Sequence, residues 1–427
     1  MNVITTLFEH EVLEDADDRE IRALTQLLKA TDVNVLSPII RQGKVCFQAK
    51  QFVGVVRLGT RTIQILPKIY RSTDRTQSII EASRNLLWML DYATGINLRK
   101  SDTASLKETE NWFETLIRLF SINLKQQWRK GVCRSYQTVD DVLPVLKGKW
   151  RIAAQMKRPA QKHQFAVSYD TFTSDNALNR VLRYVVEKLW KMTKNSDNRQ
   201  HLADLRHWMD EITLLPIVDL QYAQSVKLTR LNQQYEPLFN LATLFLQNLG
   251  VELSAHNSPA YAFVFNMNQL FEEFITKFIQ RHRQEILPAT LRHSHLLPQS
   301  RQAVMYLAQR GEQGAFKLKP DIVFRDEDTY PAVIDFKYKQ LNPQVHRLGI
   351  SESDFYQMYA YLTRFDCHEV TLIYPQLVGM LEPIRVCFSV ENSSKRICVT
   401  TVNLIQDLTI QGAHNELMTE LRQILEG

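Results

Sequence analysis

Short runs of apolar residues near the start of the chain predict a β-rich module. The runs Lys44–Ala49, Phe52–Leu58 and Arg61–Leu66 are rich in β-branched and aromatic residues, which is typical of strands. A Gly-Thr pair separates the last two runs and suits a two-residue hairpin turn. Apolar residues in 18–30 recur at helical spacing instead. We therefore predict a small β-rich N-terminal module that carries one helix.

Longer amphipathic stretches occupy the middle of the chain. Apolar residues recur every three or four positions in 78–90 and in 110–130, which predicts helices with one apolar face each. Another such stretch, near 178–189, follows Ser174 and Asp175, whose side chains suit a helix N-cap. The apolar stripe within 110–130 is formed by Trp112, Phe113, Leu116, Ile117 and Phe120. The middle of the chain is therefore predicted to be mainly helical.

The last part of the chain mixes both kinds of pattern. A helical stretch at 266–279 precedes two strand-like runs, which flank a polar loop at 325–331, and a second helical stretch follows at 354–362. Further strand-like runs and a final helix occupy 369–374, 383–390, 396–404 and 415–425. The whole pattern predicts a multidomain α+β protein. Its predicted regions are a β-rich module at 1–74, a mainly helical region at 75–235 and an α/β domain at 236–427.

Composition places the chain among ordinary globular proteins. It has 427 residues, of which 44% are hydrophobic and 23% charged, and its net charge is +6, which permits contact with nucleic acid. The start of the chain does not resemble a signal peptide, and no apolar run reaches membrane-spanning length, so no membrane association is predicted. The five cysteines are scattered without a Cys-x-x-Cys pair. We therefore expect neither a zinc ribbon nor a disulfide framework, and we expect a cytoplasmic location.

Charged residues interrupt the strand-like runs of the C-terminal region. Asp321 precedes Ile-Val-Phe, and Asp335 and Lys337 alternate with the apolar Ile334 and Phe336. Since alternate residues of a strand share a face, Asp335 and Lys337 are predicted to point the same way, with Asp321 on the neighbouring strand. Paired carboxylates suit a hard cation such as Mg²⁺, and a lysine beside them can position water or stabilise charge on a phosphodiester. The alternative is a hairpin with a surface ion pair.

The helical stretches on either side of this hairpin carry further candidates. In the upstream helix, Glu272 and Glu273 flank an apolar stripe on opposite sides, and periodicity does not choose between them. In the downstream helix, Gln357 and Tyr361 lie four positions apart and therefore on one face. The alternative for each is an ordinary amphipathic helix with solvated polar groups. The order of carboxylate helix, hairpin and Gln/Tyr helix favours a common site.

The sequence lacks a phosphate-cradling loop. No Gly-x-x-x-x-Gly-Lys-Ser/Thr segment occurs, and Gly148 and Lys149 are followed by Trp150, which has no hydroxyl for Mg²⁺. If the chemistry depends on movement driven by a nucleoside triphosphate, another chain has to bind that nucleotide.

These motifs resemble those of known nucleases. Pro320-Asp321 and Asp335-x-Lys337 resemble the PD-(D/E)xK motif, and the spacing of Gln357 and Tyr361 resembles the Gln-x-x-x-Tyr element of its RecB-like members. Ordered segments along most of the chain are similar to McrC proteins, the nuclease subunits of McrBC modified-cytosine restriction complexes. These segments are 52–69, 169–182, 265–272, 319–323 and 334–339.

The resemblance implies a restriction-endonuclease-like fold for 236–427 and a particular activity. That activity is Mg²⁺-dependent DNA cleavage within a GTP-dependent, modified-cytosine-directed (type IV) restriction system. The metal ligands that it implies are Asp321 and Asp335, and it favours Glu272 over Glu273 as a further ligand. The full set of implied catalytic residues is Asp321, Asp335, Lys337, Glu272, Gln357 and Tyr361.

The resemblance also implies partners. These are an McrB-like AAA+ GTPase ring, which binds the GTP, and double-stranded DNA containing modified cytosine. In McrC proteins the region before the nuclease domain enters the ring and stimulates GTP hydrolysis, and here this region is roughly 1–235, including the N-terminal module. The alternatives are a non-catalytic adaptor of a GTPase ring and a stand-alone RecB-like exonuclease. The intact Asp/Asp/Lys set argues against the first, and the long McrC-like N-terminal half against the second.

Overall fold

The computed structural model describes residues 3–31, 34–72, 74–98, 111–158, 160, 163–249, 253–255, 258–299, 304–380 and 382–426. The chain divides into two units. The split unit combines Met1–Trp112 with Asn248–Gly427, and the middle unit is Phe113–Gln247. This grouping differs from the three regions drawn from the sequence, because the N-terminal module and most of the C-terminal region belong to one unit.

A five-stranded sheet explains why both ends of the chain fold together. Its order is β1 (Val3–Phe8), β6 (Arg61–Leu66), β5 (Phe52–Leu58), β11 (Ser258–Asn266) and β10 (Leu253–Ala255). Strand β5 of the N-terminal module pairs antiparallel with β11, with Val55 opposite Phe263. Gly54 lies at a close approach of these strands: its φ is +153°, and a Cβ would lie 2.2 Å from the Phe263 carbonyl oxygen. A side chain at this position would therefore push the two strands apart.

The N-terminal module also contains a smaller sheet and a helix. The sheet has the order β2 (Val12–Leu13), β4 (Lys44–Ala49) and β3 (Leu36–Arg41), and the helix is Asp18–Thr31. The predicted strands β4, β5 and β6 are confirmed with the predicted bounds. Leu24, Phe47, Val56 and Ile63 belong to one buried apolar cluster of this module.

A six-stranded sheet forms the core of the C-terminal part. Its order is β12 (His295–Pro298), β15 (Ile322–Asp326), β16 (Thr329–Phe336), β17 (Glu369–Pro375), β19 (Arg396–Val402) and β18 (Arg385–Ser389). Strands β16, β17 and β19 run parallel, whereas β15 and β18 are antiparallel to their neighbours. Strand β17 is buried along almost its whole length, which suits its nearly continuous apolar sequence. A separate hairpin pairs β13 (Tyr306–Arg310) with β14 (Gln313–Lys317).

The helices of the split unit include both predicted site helices. Those in its described part, besides the helix of the N-terminal module, are Arg75–Thr94, Met267–Arg281, Arg283–Ile286, Glu352–Arg364 and Gln411–Glu426. We call Met267–Arg281 the Glu272 helix and Glu352–Arg364 the Gln357 helix. Each begins at a side-chain cap, Asn266 and Ser351 respectively, which accepts a hydrogen bond from a backbone N–H of the first turn.

The β15–β16 hairpin is tighter than predicted. We expected residues 325–331 to form the loop, but Asp326 pairs with Thr329 and Pro331 lies inside β16. Tyr330 and Pro331 together face the single residue Arg325, which makes the pairing irregular at this point. A bulge suits proline, because proline has no N–H to contribute to the ladder.

The structure contains a disulfide that the sequence analysis did not predict. Cys387 and Cys398 lie directly opposite each other in the β18–β19 pair and form a disulfide. They are 11 positions apart in the sequence, a spacing that matches no cysteine motif, and only the register of the strands brings them together. Cys46, Cys133 and Cys367 are free and buried.

The middle unit contains most of the remaining helices and a small sheet. The helices that lie in it wholly or in large part are Trp112–Lys130, Ile152–Met156, Ala177–Met192, Ser196–Trp208, Leu220–Gln224 and Glu236–Asn248. The sheet has the order β7 (Ser135–Leu143), β9 (Phe165–Thr173) and β8 (Lys149–Trp150). Throughout the described part of the chain, each helix is too short or too polar to cross a bilayer.

Two sequence predictions for this region have mixed outcomes. The helix predicted at 110–130 is confirmed from Trp112 onward, and its apolar stripe is buried; Glu110 lies outside the described residues. The predicted N-cap was wrong, because Asn176 caps the helix Ala177–Met192 by accepting a hydrogen bond from the Asn179 N–H. Asp175 instead pairs with Arg180 at 2.8 Å, since a carboxylate gains more from a guanidinium than from a neutral backbone donor.

Candidate active site

The ends of β15 and β16 bring the two candidate aspartates together. The antiparallel register sets Ile322 opposite Ile334, so Asp321 and Asp335 are neighbours at the same end of the hairpin. Asp321 Oδ2 accepts a 2.7 Å hydrogen bond from the Phe336 backbone N–H, which fixes its carboxylate beside β16. Asp335 is buried, with only 1% of its surface exposed. Both carboxylates therefore lie in one largely water-free place.

Glu272 joins the aspartates from its helix. Gln299 links them: its Nε2 donates to Glu272 Oε1 at 3.1 Å, and its backbone N–H donates to the Asp321 carbonyl oxygen at 2.7 Å. Glu273 instead accepts a 2.9 Å hydrogen bond from Gln269, one turn earlier on its own helix. Consecutive helical residues point about 100° apart, so the two glutamates face different surroundings. Glu272, through Gln299, is therefore linked to Asp321, and its charge acts on both aspartates.

Burial and neighbouring carboxylates make Asp321 and Asp335 harder to ionise. Burial raises the pKa of Asp321, and the charges of Asp335 and Glu272 raise it further. The hydrogen bond from the Phe336 N–H and the charge of the Lys337 ammonium lower this pKa, but they do not outweigh burial and the two carboxylates. Burial also raises the pKa of Asp335, whereas Lys337 lowers it. Both carboxyls therefore hold a proton more tightly than an ordinary aspartate. A nearby divalent cation would remove this penalty, because it favours the ionised form of each carboxyl.

Lys337 lies between Asp335 and the Gln357 helix. Its Nζ is 2.6 Å from Asp335 Oδ2 and 3.9 Å from Asp354 Oδ1, and it donates to Gln357 Oε1 at 3.1 Å. Its backbone N–H donates to the Ile373 carbonyl oxygen of β17 at 2.9 Å, which fixes the backbone position from which the side chain extends. Burial lowers the pKa of Lys337, but the charges of Asp335 and Asp354 outweigh burial and raise it. The ammonium is therefore a permanent positive charge in the site.

Gln357 and Tyr361 continue the chain of hydrogen bonds that begins at Lys337. Gln357 Nε2 donates to the Tyr361 hydroxyl at 2.7 Å, as their spacing of four on one helix allows. Tyr361 is buried, and burial together with the charge of Asp335 raises the pKa of its hydroxyl. Tyr361 therefore stays neutral and fixes the amide of Gln357, which in turn orients Lys337.

Asp354 is a site residue that the sequence analysis missed. It lies one turn before Gln357, and its carboxylate Oδ2 accepts hydrogen bonds from Lys339 Nζ and Ser351 Oγ at 2.5 Å each. Burial opposes ionisation of Asp354, but these two hydrogen bonds and the charges of Lys339 and Lys337 lower its pKa below the ordinary value. The available signal was its spacing of three from Gln357, which puts both residues on one helix face.

A buried network from the N-terminal module, also missed, reaches the residue after Lys337. The Tyr338 hydroxyl donates to Glu9 Oε2 at 2.9 Å, and the Lys68 backbone N–H donates to the same oxygen at 3.0 Å. The Lys68 ammonium donates to the Tyr338 carbonyl oxygen at 3.3 Å and lies 4.7 Å from the centre of its ring. Burial raises the pKa of Glu9 and lowers that of Lys68. Glu9 and Lys68 lie 329 and 270 positions from Tyr338, so no local motif could reveal the contact.

The donor set of the site fits a hard divalent cation. Asp335 Oδ2 is buried and forms an ion pair with Lys337, but it accepts no hydrogen bond of ordinary geometry from the described residues. Asp321, Asp335 and Glu272 offer carboxylate oxygens, which Mg²⁺ prefers, and Mg²⁺ fills its remaining positions with water or phosphate oxygens. These residues therefore suit Mg²⁺.

Comparisons with known proteins point to one family. A family model described as "McrBC 5-methylcytosine restriction system component" matches residues 47–375. No curated protein matches the chain.

Two solved structures are similar to the chain. A refined half-complex of Thermococcus gammatolerans McrB AAA+ hexamers with bound McrC has a TM-score of 0.68 at 23% identity, covering 99% of this chain and 100% of that chain. The cryo-EM structure of the Thermococcus gammatolerans McrBC complex has a TM-score of 0.49 at 26% identity, covering 66% and 88%. The first match shows the same mixed α/β, multidomain fold over nearly the whole chain.

Proposed function

Because the chain belongs to the family of McrBC 5-methylcytosine restriction system components, we propose that it is the Mg²⁺-dependent DNA endonuclease subunit of such a system. The observation that carries the proposal is the arrangement of Asp321, Asp335 and Lys337 at one end of the β15–β16 hairpin, with Glu272 linked to Asp321 through Gln299. This set matches the PD-(D/E)xK pattern, and we assign the restriction-endonuclease-like part of the chain to the six-stranded sheet and the Glu272 and Gln357 helices, within the predicted 236–427 region. The substrate is double-stranded DNA containing modified cytosine, in the cytoplasm.

The residues of the site have separate roles in phosphodiester hydrolysis. When bound, Mg²⁺ supplies a water of lowered pKa and neutralises phosphate charge. Asp321, Asp335 and Glu272 hold the cation. Lys337 keeps a positive charge beside them, which orients the attacking water and stabilises charge that develops on the phosphorus oxygens. Gln357 and Tyr361 keep that ammonium in place.

We infer that the partner is an McrB-like AAA+ GTPase ring, which binds the GTP. The chain of similar fold from Thermococcus gammatolerans is McrC bound to McrB hexamers. The sequence of the present chain has no phosphate-cradling loop, so a reaction driven by a nucleotide needs another subunit.

The middle unit offers a surface for this partner. The segment that contains β8 exposes apolar side chains: Met156 is 76% exposed and Leu146 is 57% exposed. We call this surface the β8 patch, and its members are Val145, Leu146, Trp150, Ile152 and Met156. Exposed apolar side chains that recur within one short segment suit a contact with another protein. We assign the contact that stimulates GTP hydrolysis to this patch, which lies within the predicted 1–235 region.

The test of this function is DNA cleavage by the full chain together with an McrB-type GTPase, GTP and Mg²⁺. Asp335→Ala removes a metal ligand and is expected to abolish cleavage, while GTP hydrolysis by the partner stays stimulated. Glu273→Ala is the matched control, because Glu273 is a carboxylate on the Glu272 helix that bonds to Gln269 instead; it is expected to cut normally. Full cleavage by Asp335→Ala would refute the assignment.

The same assay separates the two alternatives. A non-catalytic adaptor would stimulate GTP hydrolysis without any cleavage by the unmodified chain. A stand-alone exonuclease would degrade DNA ends without the partner or GTP.

A further inference from the structure

The Lys337 ammonium lies between two carboxylates at unequal distances. Its Nζ is 2.6 Å from Asp335 Oδ2 but 3.9 Å from Asp354 Oδ1. In the proposed function Asp335 binds a divalent cation, so the cation needs a carboxylate that the ammonium now occupies. Positive charges repel strongly in a site shielded from water. A cation that takes Oδ2 of Asp335 therefore favours a second position for the ammonium.

Asp354 meets the requirements for that position. It is buried, and Lys339 Nζ and Ser351 Oγ both donate to its Oδ2 at 2.5 Å, so Oδ1 is the oxygen turned toward Lys337. The Ser351 hydroxyl also accepts the Asp354 backbone N–H at 3.2 Å, which anchors the residue in the first turn of the Gln357 helix. Asp354 is therefore a fixed carboxylate with one oxygen available to an incoming ammonium.

Gln357 accepts a hydrogen bond from the Lys337 ammonium and can keep it while the ammonium moves from Asp335 toward Asp354. Its Oε1 accepts a 3.1 Å hydrogen bond from Lys337 Nζ, and Gln357 and Asp354 lie on one face of the same helix. The ammonium can thus turn from Asp335 toward Asp354 without losing its hydrogen bond to Gln357. A buried ammonium without any partner would be costly, and this arrangement avoids that state.

We propose that Asp354 is a positioning residue that takes over the Lys337 ammonium when a divalent cation binds Asp335. The proposal rests on the proposed function, because it presupposes a cation at Asp335. One ion pair is exchanged for another, and no covalent bond forms or breaks. The exchange clears the metal ligand and leaves the lysine beside the cation.

Calorimetric titration with Ca²⁺, a hard cation that takes the same oxygen ligands, measures this exchange without relying on cleavage. The full-length proteins compared are the unmodified chain, Asp354→Asn, Lys337→Met and the double variant. Asp354→Asn is expected to weaken Ca²⁺ binding about tenfold, because Lys337 then stays paired with the proposed metal ligand Asp335 and competes with the cation. In the Lys337→Met background no ammonium has to move, so Asp354→Asn is expected to change affinity by less than about twofold.

Conservative variants control for a merely structural effect. Asp354→Glu keeps the charge and is expected to restore most of the affinity. Glu352→Gln removes another carboxylate from the same helix, one that pairs with Arg347 at 2.9 Å, and is expected to leave affinity unchanged. Equal weakening by Asp354→Asn in both backgrounds, or no weakening in either, overturns the exchange. If the unmodified chain and Asp335→Asn bind Ca²⁺ equally well, the proposed metal site itself fails instead.

Discussion

The split unit and the middle unit depart from an ordinary globular protein in opposite ways. The split unit buries carboxylates where apolar side chains are usual, and Asp335 and Glu9 are its clearest examples. The described part of the middle unit buries no carboxylate to this degree, and it exposes a run of apolar side chains within 145–156 that includes Leu146 and Met156. Buried carboxylates that repel one another suit a cation and its chemistry, whereas exposed apolar groups suit another protein. Cleavage and partner contact are therefore expected to fail independently when each region is altered.

The N-terminal module belongs with the chemistry in this comparison. It contributes β5 to the sheet that contains β11, and Glu9 and Lys68 to the network around Tyr338. A cut at residue 235 would separate β5 from β11 and remove Glu9 from the nuclease region. Point variants of the full chain are therefore a sharper test than fragments 1–235 and 236–427.

After the loss of cleavage expected for Asp335→Ala, the largest effect is expected from Lys337→Ala. Removing the ammonium should lower the single-turnover cleavage rate by about a thousandfold, in the range seen when a charge-stabilising or proton-transferring group is lost. Cation affinity and stimulation of the partner should persist, because an ammonium is not a metal ligand. Loss of GTPase stimulation in this variant would contradict the assignment of cleavage and partner contact to separate units.

The β8 patch provides the matching test in the middle unit. The double variant Leu146→Asp, Met156→Asp is expected to lower stimulation of GTP hydrolysis by at least about tenfold. The reason is that a carboxylate buried in an apolar contact loses its hydration without gaining a partner. Its Ca²⁺ affinity should equal that of the unmodified chain. Leu231→Asp is the control, because Leu231 is 88% exposed but lies outside the patch. Normal stimulation by the double variant, or an equal loss in the control, would show that the β8 patch is not the contact with the partner.

A smaller effect is expected where the N-terminal module meets the nuclease strand. Tyr338→Phe keeps the ring over Lys68 but removes the hydrogen bond to Glu9, and it should slow cleavage about fivefold to tenfold. Glu9→Gln should add little to Tyr338→Phe, because both changes break the same contact. Stimulation of GTP hydrolysis should be unaffected. Additive losses in the double variant would show that Glu9 acts elsewhere.

The smallest expected effect concerns stability without metal. Because the folded-state pKa of Asp321 is raised, folding favours its protonated form. The stability linked to that proton is fully present below the unfolded pKa of about 4 and is lost as pH rises through the folded pKa. Asp321→Asn removes this penalty, and its side-chain carbonyl can still accept the Phe336 N–H. In chelator at pH 8, its Tm should exceed that of the unmodified chain by about 2–4 °C, with a smaller difference at pH 5. A lower Tm at pH 8 would contradict the proposed repulsion.

Local patterns were enough for the features that depend on neighbours in sequence. The strands β4, β5 and β6 and the Glu272 and Gln357 helices followed from periodicity, because each buries one regular set of apolar residues. The nearness of Asp321 and Asp335 followed from a hairpin with alternating side chains. The McrC-like segments indicated the family from the sequence alone.

Features that depend on register or distant packing could not be predicted. The disulfide needs Cys387 and Cys398 to lie directly opposite each other. Periodicity alone did not choose Glu272 over Glu273, whose different partners depend on the position of Gln299. Glu9 meets Tyr338 only because β5 and β11 join the two ends of the chain. The division into two units has the same cause.

The position of a bound cation is the most direct test of the nuclease assignment. Mn²⁺ takes the same kinds of oxygen ligand as Mg²⁺, and its anomalous scattering locates it in crystals of the full chain. The expected result is a peak about 2–2.5 Å from carboxylate oxygens of both Asp321 and Asp335, with Glu272 beside it, that disappears in Asp335→Asn. A peak away from these carboxylates, no peak in the unmodified chain, or an unchanged peak in Asp335→Asn would contradict the assignment.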